Sequence, residues 1–383
     1  MKRNYHSGSK VALGMTGDSD CELTEAGSAS LDLLRLGALT ALVLYHVACL
    51  YDGAGGGTFA HGALIIFQMG YVGTDVLLAM AGFLTVGSLA RAGNAPTYLI
   101  RRYLRVFPAL AIFLVTYLYG LPALLADHMA ALPNFENLQH AREIQWGFWS
   151  LTANFQMVFG SRMGAALEPM LTLGVGAQLT VLAVVLASNR RRLILGTVGV
   201  FIIGVALRIY WLPSNEYVPY SFPLSRGDGF FFGAAFASLS RSASYRDRLL
   251  ARRFWLLGAS TAALAILVVM QKGLTVTSPG TKLIGYPLVG AWSASLVLVT
   301  ASLNRCPKFL RRISPIAGTG FCVYLVKLPV VFLVSVGLSR WARLDLFTFA
   351  MVALFASFAL GMAFHFGLER PLVARLGFAR KPQ

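Results

Sequence analysis

Apolar segments of roughly membrane-spanning length recur along most of the chain, and they constrain its fold more than any other feature. Their bounds are 31–51, 63–90, 106–126, 169–187, 193–212, 227–239, 254–271, 283–303, 315–338 and 344–367. A helix needs about 20 apolar residues to cross the hydrocarbon layer of a bilayer. The sequence therefore predicts an all-α, polytopic bundle of about ten transmembrane helices. If the short segment 227–239 does not cross the membrane, the number of crossings becomes odd and the C-terminus lies on the other side of the membrane.

Charged residues are too few for a soluble domain of this length. They make up 13% of the 383 residues, and 56% of the residues are hydrophobic, whereas soluble domains carry about 25% charged residues. Lipid around the bundle removes the need for a polar surface, so we expect a single membrane domain. The net charge of +17 is compatible with a nucleic acid, anionic lipid or an anionic substrate as partner.

The positions of the Lys and Arg residues favour the membrane surface, and we expect no nucleic-acid partner. With the N-terminus in the cytoplasm, the inner connections and ends hold 23 of these residues and the outer connections hold 8, with Arg208 counted among the 8. Such an excess is typical of cytoplasmic loops. It predicts cytoplasmic termini, with a flexible tail over 1–29, the membrane domain over 30–372 and a second tail over 373–383.

Two further features bear on function. The four cysteines are widely spaced and form no CxxC pair, so the sequence predicts neither a metal site nor a disulfide framework. The longest polar stretch, 127–168, contains Trp146 and Trp149. It is either a functional outer loop or an amphipathic segment at the membrane interface.

Ionisable side chains in the first apolar segment are candidate functional residues, because a charge in lipid is costly and often marks a site. Arg35 and His46 are eleven residues apart, so on a helix both lie on one face, separated by about 16 Å along the axis. Asp32 is close enough to pair with Arg35. The His46 imidazole can take or give a proton near neutral pH; the alternative is a histidine that hydrogen-bonds a neighbouring helix.

Later segments contain further polar candidates, which are Asp75, Gln178, Arg226, Asp228, Lys327 and Glu369. Lys327 lies in YLVKLPVVFLV without a polar neighbour in sequence. It therefore needs a partner, a deprotonated state or a route for its ammonium to water. Glu369 and Arg370 lie at the end of the last segment, where we expect a structural ion pair at the interface.

Six segments resemble motifs of the membrane-bound acyltransferase 3 family, whose members O-acylate surface glycans and related molecules in the bacterial inner membrane. They are LDLLRLGALTALVLYHV at 31–47, GTDVLLAMAGFL at 73–84, RRYLRVFPAL at 101–110, SRGDGFFFGAAFA at 225–237, YLVKLPV at 324–330 and LERP at 368–371. The segments keep the order of the family's motifs and extend over most of the chain.

Some positions depart from the family pattern. The second segment lacks the paired aromatic residues and the serine of the family motif. The family's WSLxxEEQF motif corresponds either to 171–179, with Gly176 and Ala177 at the acidic positions, or to 149–155, which also lacks a glutamate. Lys327 stands where the family has histidine. These changes suggest either a divergent subgroup or impaired catalysis.

The resemblance implies an O-acyltransferase that moves an acyl group, most simply acetyl, from cytoplasmic acyl-CoA to a hydroxyl of a cell-surface glycan or glycolipid. His46 would be the general base or a transient acyl carrier, with Asp32 orienting Arg35. Lys327 would stabilise negative charge on the thioester oxygen. The guanidinium groups that suit the CoA phosphates are those of Arg101, Arg102 and Arg105.

Two other functions remain open. A catalytically degenerate homologue that binds or translocates a lipid or glycan would explain the lost acidic and histidine positions. A small-molecule transporter would use Asp75 and Lys327 as coupling groups, although the sequence lacks the internal repeat of many transporters. The expected partners are the bilayer, acyl-CoA and a glycan or glycolipid acceptor, with no bound cofactor; the sequence does not predict the oligomeric state.

Overall fold

The computed structural model describes residues 25–51, 58–92, 94–124, 138–159, 167–213, 218–276, 278–303, 307–341 and 345–375. All regular secondary structure in these ranges is helical. The predicted all-α fold is confirmed. Residues 1–24 and 376–383, which make up most of the two predicted tails, lie outside the described residues.

Eighteen α-helices follow one another in the described part of the chain. The first nine are α1 (Glu25–Leu50), α2 (Thr58–Gln68), α3 (Val72–Ala92), α4 (Ala95–Val115), α5 (Leu121–Leu124), α6 (Leu138–Glu143), α7 (Gln145–Trp149), α8 (Ala153–Val158) and α9 (Glu168–Leu186). The others are α10 (Arg190–Trp211), α11 (Val218–Ser221), α12 (Asp228–Ser240), α13 (Ala243–Gln271), α14 (Tyr286–Ala301), α15 (Lys308–Ile313), α16 (Gly320–Trp341), α17 (Leu346–Phe364) and α18 (Arg370–Arg375). Short 3-10 or π-helical turns join several of them, including Met69–Tyr71 between α2 and α3 and His365–Glu369 between α17 and α18.

Nine helical stretches in the described residues are long and apolar enough to cross a membrane, which confirms a polytopic bundle. The predicted segment 227–239 forms α12, which has 13 residues. A helix of that length rises about 20 Å, less than the hydrocarbon thickness of about 30 Å. Helix α12 lies at the centre of the bundle, where most of its side chains are buried and α3, α10 and α14 surround it.

Several helices begin earlier than the hydropathy pattern predicts, α1 and α4 among them. Helix α1 starts at Glu25, within the predicted tail. Helix α4 starts at Ala95 because the Asn94 side chain caps it, accepting a hydrogen bond of 2.8 Å from the Thr97 N–H, and because proline suits the first turn of a helix. The RRxxR motif therefore lies in the second and third turns of α4 and not in the preceding loop.

Close glycine contacts place α3, α12 and α14 side by side. A Cβ on Gly233 of α12 would overlap the Ala79 carbonyl of α3, and one on Gly290 of α14 would lie 2.7 Å from the Gly229 backbone nitrogen. Small residues of this kind allow helix backbones to approach closely in membranes. Because Asp75 faces Gly229 and Ala79 faces Gly233, α3 and α12 run in the same direction.

Helices α1 and α16 also run parallel and form one side of the bundle. Gly320, at the start of α16, faces the aliphatic part of Arg35, and Lys327, two turns later, contacts His46. Helix α3 packs against α1 as well. The polar residues of α1, α3 and α16 therefore face a common interior.

The described part of the long polar stretch, helices α6 to α8, packs along α4 and α9. Arg142 donates a hydrogen bond of 2.8 Å to the Leu118 carbonyl beyond the end of α4. Further along, the Tyr103 hydroxyl in the middle of α4 donates to the Trp149 carbonyl at 3.2 Å. The chain thus descends beside α4 between these two contacts and does not simply cross the surface of the bundle.

Candidate active site

His46 and Lys327 form a direct contact inside the bundle. The Lys327 Nζ lies 2.7 Å from His46 Nε2, and the two residues are 3% and 4% exposed respectively. A protonated Lys327 donates to Nε2, which leaves the imidazole proton on Nδ1; a neutral amine accepts from Nε2–H. Lys327, which has no polar neighbour in sequence, therefore has the candidate catalytic histidine as its partner.

The pair lines a narrow cavity between α1, α3, α9, α11 and α16. Its other lining residues are Leu42, Tyr45, Thr74, Glu168, Pro169, Thr172, Tyr220 and Tyr324. Its volume is about 10 Å³, enough for about one water molecule. The hydroxyl and carboxyl groups around His46 form a polar site, but a substrate can enter only if the surrounding helices move.

Glu168 is the functional candidate that the sequence analysis missed. It is the first residue of α9 and accepts a long hydrogen bond of 3.5 Å from the Tyr220 hydroxyl. Its carboxylate balances the charge of a protonated Lys327 across the cavity. Glu168 lies at the junction of the polar stretch and an apolar segment. An acidic residue directly before proline is typical of a first helical turn, and this pattern could have identified it.

Aromatic rings hold the Lys327 side chain from another side. Its Nζ lies 5.1 Å from the centre of the Tyr324 ring, within the range of a cation–π contact. The Tyr324 hydroxyl is fixed by donation to the Pro169 carbonyl at 3.1 Å. The Tyr45 ring lies 5.1 Å from the His46 ring, so His46 and Lys327 both contact tyrosine rings.

Asp75 and Arg226 form a buried ion pair beside the cavity. The carboxylate and guanidinium are 2.8 Å apart and their side chains are at most 3% exposed. Arg226 also lies over the rings of Tyr220 and Tyr286, at 4.5 and 4.3 Å from their centres. Because Tyr220 contacts both Arg226 and Glu168, this ion pair and the cavity belong to one polar region.

A second buried ion pair stabilises the start of α12. Asp228 pairs with Arg208, a residue of α10 that the charge count had assigned to an outer connection. Arg208 also donates to the Ser225 carbonyl. The pair therefore holds α12 against α10 and positions the preceding Arg226.

Gln178 has a structural position outside the cavity lining. Its side-chain amide exchanges hydrogen bonds of 2.8 and 3.1 Å with Asn154 and donates to the Leu151 carbonyl at 3.0 Å. Leu151 has a φ of 58°, which is uncommon for a residue other than glycine. Gln178 thus holds the turn between α7 and α8. The same hydrogen bonds connect 149–155 with 171–179, the two segments that could correspond to the WSLxxEEQF motif.

Arg35 and Asp32 lie away from His46. They form the ion pair that their spacing predicts, with 2.8 Å between the charged groups, and both side chains are about 30% exposed. Since the axial separation of Arg35 and His46 is about 16 Å, the structure does not bring the three predicted catalytic residues together.

The arginines of α4 occupy the same end of the bundle as Arg35. Arg102 donates to the Tyr98 hydroxyl at 2.8 Å and to Thr85 Oγ1 at 3.1 Å. Arg101 and Arg105 are exposed. Their role in donor binding remains a prediction.

Glu369 contacts residues other than the Arg370 expected from sequence. It accepts a hydrogen bond of 2.6 Å from His365 Nδ1 and one of 3.0 Å from Cys322 Sγ. This group connects α16 to the π-helical turn after α17, away from the residues that line the cavity.

The comparison with protein families yields a match that covers most of the membrane domain. A family model described as an acyltransferase domain matches residues 28–366. No curated protein and no solved structure matches the chain.

Proposed function

Because the chain belongs to the acyltransferase 3 family, we propose that it transfers an acyl group, most simply acetyl, from cytoplasmic acyl-CoA to a hydroxyl of a cell-surface glycan or glycolipid. The bacterial inner membrane is the expected location. The observation that carries the proposal is the buried cavity in which His46, Lys327 and Glu168 meet. A base, a cation and a carboxylate in one water-restricted site suit acyl transfer to a hydroxyl.

The transfer needs one base and one group that stabilises negative charge. His46 takes the proton of the acceptor hydroxyl, and the hydroxyl oxygen attacks the thioester carbonyl carbon. The new C–O bond forms, the C–S bond breaks, and the CoA thiolate leaves with the proton that His46 returns. In the resting contact Lys327 occupies His46 Nε2, so the acceptor hydroxyl must replace the amine there.

Lys327 then has a second position available to it. When the hydroxyl displaces it from Nε2, the ammonium can turn to the thioester oxygen, where negative charge develops. The small cavity volume is consistent with such a step, because the helices must separate before a substrate enters. Lys327 therefore both closes the resting site and stabilises the transition state.

The donor and acceptor would approach from different ends of the site. Arg35, Arg102 and their neighbours offer guanidinium groups suited to the CoA phosphates, while the thioester arm extends along α1 toward His46. Glu168 favours an active enzyme over a catalytically degenerate homologue. It supplies a carboxylate to the cavity, although Gly176 and Ala177 occupy the family's acidic positions.

The test is thioester turnover by purified protein in nanodiscs with labelled acetyl-CoA. His46→Ala should lower the rate by about 10²–10⁴-fold, the usual contribution of a general base. Glu168→Gln should lower it by about 10-fold or more, because a shift of only 1.4 kcal/mol in the barrier has that effect. The matched controls are His61→Ala and Glu143→Gln, which alter exposed residues of the same types.

The outcomes separate the enzyme from the alternative. Turnover that persists in His46→Ala would remove His46 from the mechanism. A wild-type protein that neither cleaves acetyl-CoA nor binds it saturably would favour the degenerate homologue that binds or translocates a lipid or glycan. Release of labelled acetyl to water, dependent on His46, would support the proposed base even before an acceptor is identified.

A further inference from the structure

Three side chains with metal-ligand chemistry converge where α16 meets the end of α17. The ligand atoms of Cys322, His365 and Glu369 all lie within 4.8 Å of one another. Both hydrogen bonds to Glu369 end on the same carboxylate oxygen, Oε2. A thiol, an imidazole and a carboxylate thus face one point from two separate helices.

The local backbone brings two of these side chains onto one face. His365–Glu369 forms a π-helical turn, in which the Arg370 N–H bonds to the His365 carbonyl five residues earlier. Such turns are rare and occur frequently at functional sites. Here the turn aligns His365 with Glu369, toward the buried Cys322 thiol.

We propose that Cys322, His365 and Glu369 bind a divalent transition-metal ion of the zinc class. Zinc accepts sulfur, nitrogen and oxygen ligands at about 2.0–2.3 Å, and sites with three protein ligands leave the fourth position to water. The three atoms need to move only slightly to surround an ion. Binding replaces the thiol proton with the metal, and the neutral imidazole binds through Nδ1 with its own proton on Nε2.

The ion would connect parts of the chain that are distant in sequence. Cys322 belongs to α16, and the other two ligands follow α17, so metal binding would hold this end of the helix pair together. The sequence analysis predicted no metal site because it considered cysteine spacing alone, and a site with one cysteine has no spacing signature. The proposal is independent of the acyl-transfer mechanism, since none of these residues lines the His46 cavity.

Cobalt(II) provides a direct probe, because a cysteine thiolate bound to it produces a charge-transfer absorption band. The full-length protein in detergent is freed of metal with a chelator and titrated with Co²⁺, and Zn²⁺ is then added as a competitor. We expect one equivalent of Co²⁺ per chain, a thiolate band and its loss on addition of Zn²⁺. Cys322→Ser should remove the band and weaken Zn²⁺ binding by at least about 100-fold, since even changes to supporting residues cost 10–100-fold.

Two further variants and one control make the test specific. Glu369→Gln and His365→Ala should each weaken Zn²⁺ binding while the thiolate band is retained at high Co²⁺ concentration. Cys49→Ser, which changes the exposed cysteine of α1, should leave both the band and the affinity unchanged. Size-exclusion chromatography and circular dichroism show whether each variant is folded. If Cys322→Ser does not fold, the variants of Glu369 and His365 test whether these residues bind the metal.

The contrary results are equally defined. A folded wild-type protein without a thiolate band would overturn the proposal. So would a band that persists in Cys322→Ser, because the thiolate would then come from another cysteine. Zinc affinity that is unchanged in both Glu369→Gln and His365→Ala would also refute it.

Discussion

The buried contact between His46 and Lys327 predicts that loss of the imidazole destabilises the protein, whereas loss of both charged groups in the cavity does not. His46→Ala removes the Nε2 atom that lies 2.7 Å from Lys327 Nζ and leaves an amine that is 3% exposed. A hydrogen bond to a charged group contributes about 1.5–3 kcal/mol, and an unsatisfied buried charge costs at least as much. We therefore expect His46→Ala to lower the free energy of unfolding by about 2–3 kcal/mol.

Lys327→Met combined with Glu168→Gln, which also removes the opposing carboxylate of the cavity, should have little effect on stability or increase it. Methionine occupies a volume similar to that of lysine without the charge. Replacing both groups of a buried ion pair, in contrast to removing one of them, is often neutral or stabilising by about 1–4 kcal/mol. Adding His46→Ala to this pair of substitutions should then cost less than the loss of about 2–3 kcal/mol that it causes in the wild-type protein, because no buried ammonium is left without its partner, although all these variants lose acyl transfer.

Unfolding by SDS in mixed micelles, followed by circular dichroism, measures these differences. His61→Ala serves as the control, because His61 is an exposed histidine of α2, and its stability should match that of wild type. The reasoning is refuted if Lys327→Met with Glu168→Gln destabilises the protein as much as His46→Ala, or if the effects of His46→Ala and of that pair of substitutions simply add. Additive effects would mean that the two side chains do not interact in the folded protein.

Two further predictions concern the residues that position the cavity. Asp75→Asn should destabilise the protein by about 3–5 kcal/mol because it leaves Arg226 as an unpaired buried charge, whereas Asp32→Asn, in a partly exposed pair, should cost only about 0–1 kcal/mol; equal losses in SDS unfolding would contradict this. Gly233→Leu should cost at least about 1–3 kcal/mol through overpacking against α3. Gly258→Leu is the control, because no atom lies within 4 Å of a Cβ added there, and it should express and unfold like wild type. Equal yields and equal unfolding midpoints for the two leucine variants would count against the close packing of α12 on α3.

Local sequence spacing predicted the features that a single helix determines. The length and apolar character of the segments indicated a helical membrane bundle, because lipid requires every backbone polar group to bond within the helix. Asp32 and Arg35, three residues apart, form the predicted ion pair. Four of the buried charged positions, Asp75, Arg226, Asp228 and Lys327, were also recognised, since a charge in an apolar segment is visible without knowing its neighbours.

Contacts between distant segments could not be derived in this way. Lys327 and His46 are 281 residues apart, and no periodicity within one helix indicates which other helix it faces. Glu168 was missed because it lies at a segment boundary, and Arg208 was assigned to a connection although it is buried in α10.

By itself, the sequence determined that this protein is a helical membrane bundle and which of its side chains are too polar for lipid, because both depend on the chemistry of single segments. Only the tertiary structure decided which polar groups meet. Parallel packing of α1 with α16 brings His46 to Lys327, and the start of α9 adds Glu168. The physical reason is that a buried charge needs a partner, but many pairings satisfy that need, and helix packing selects one of them.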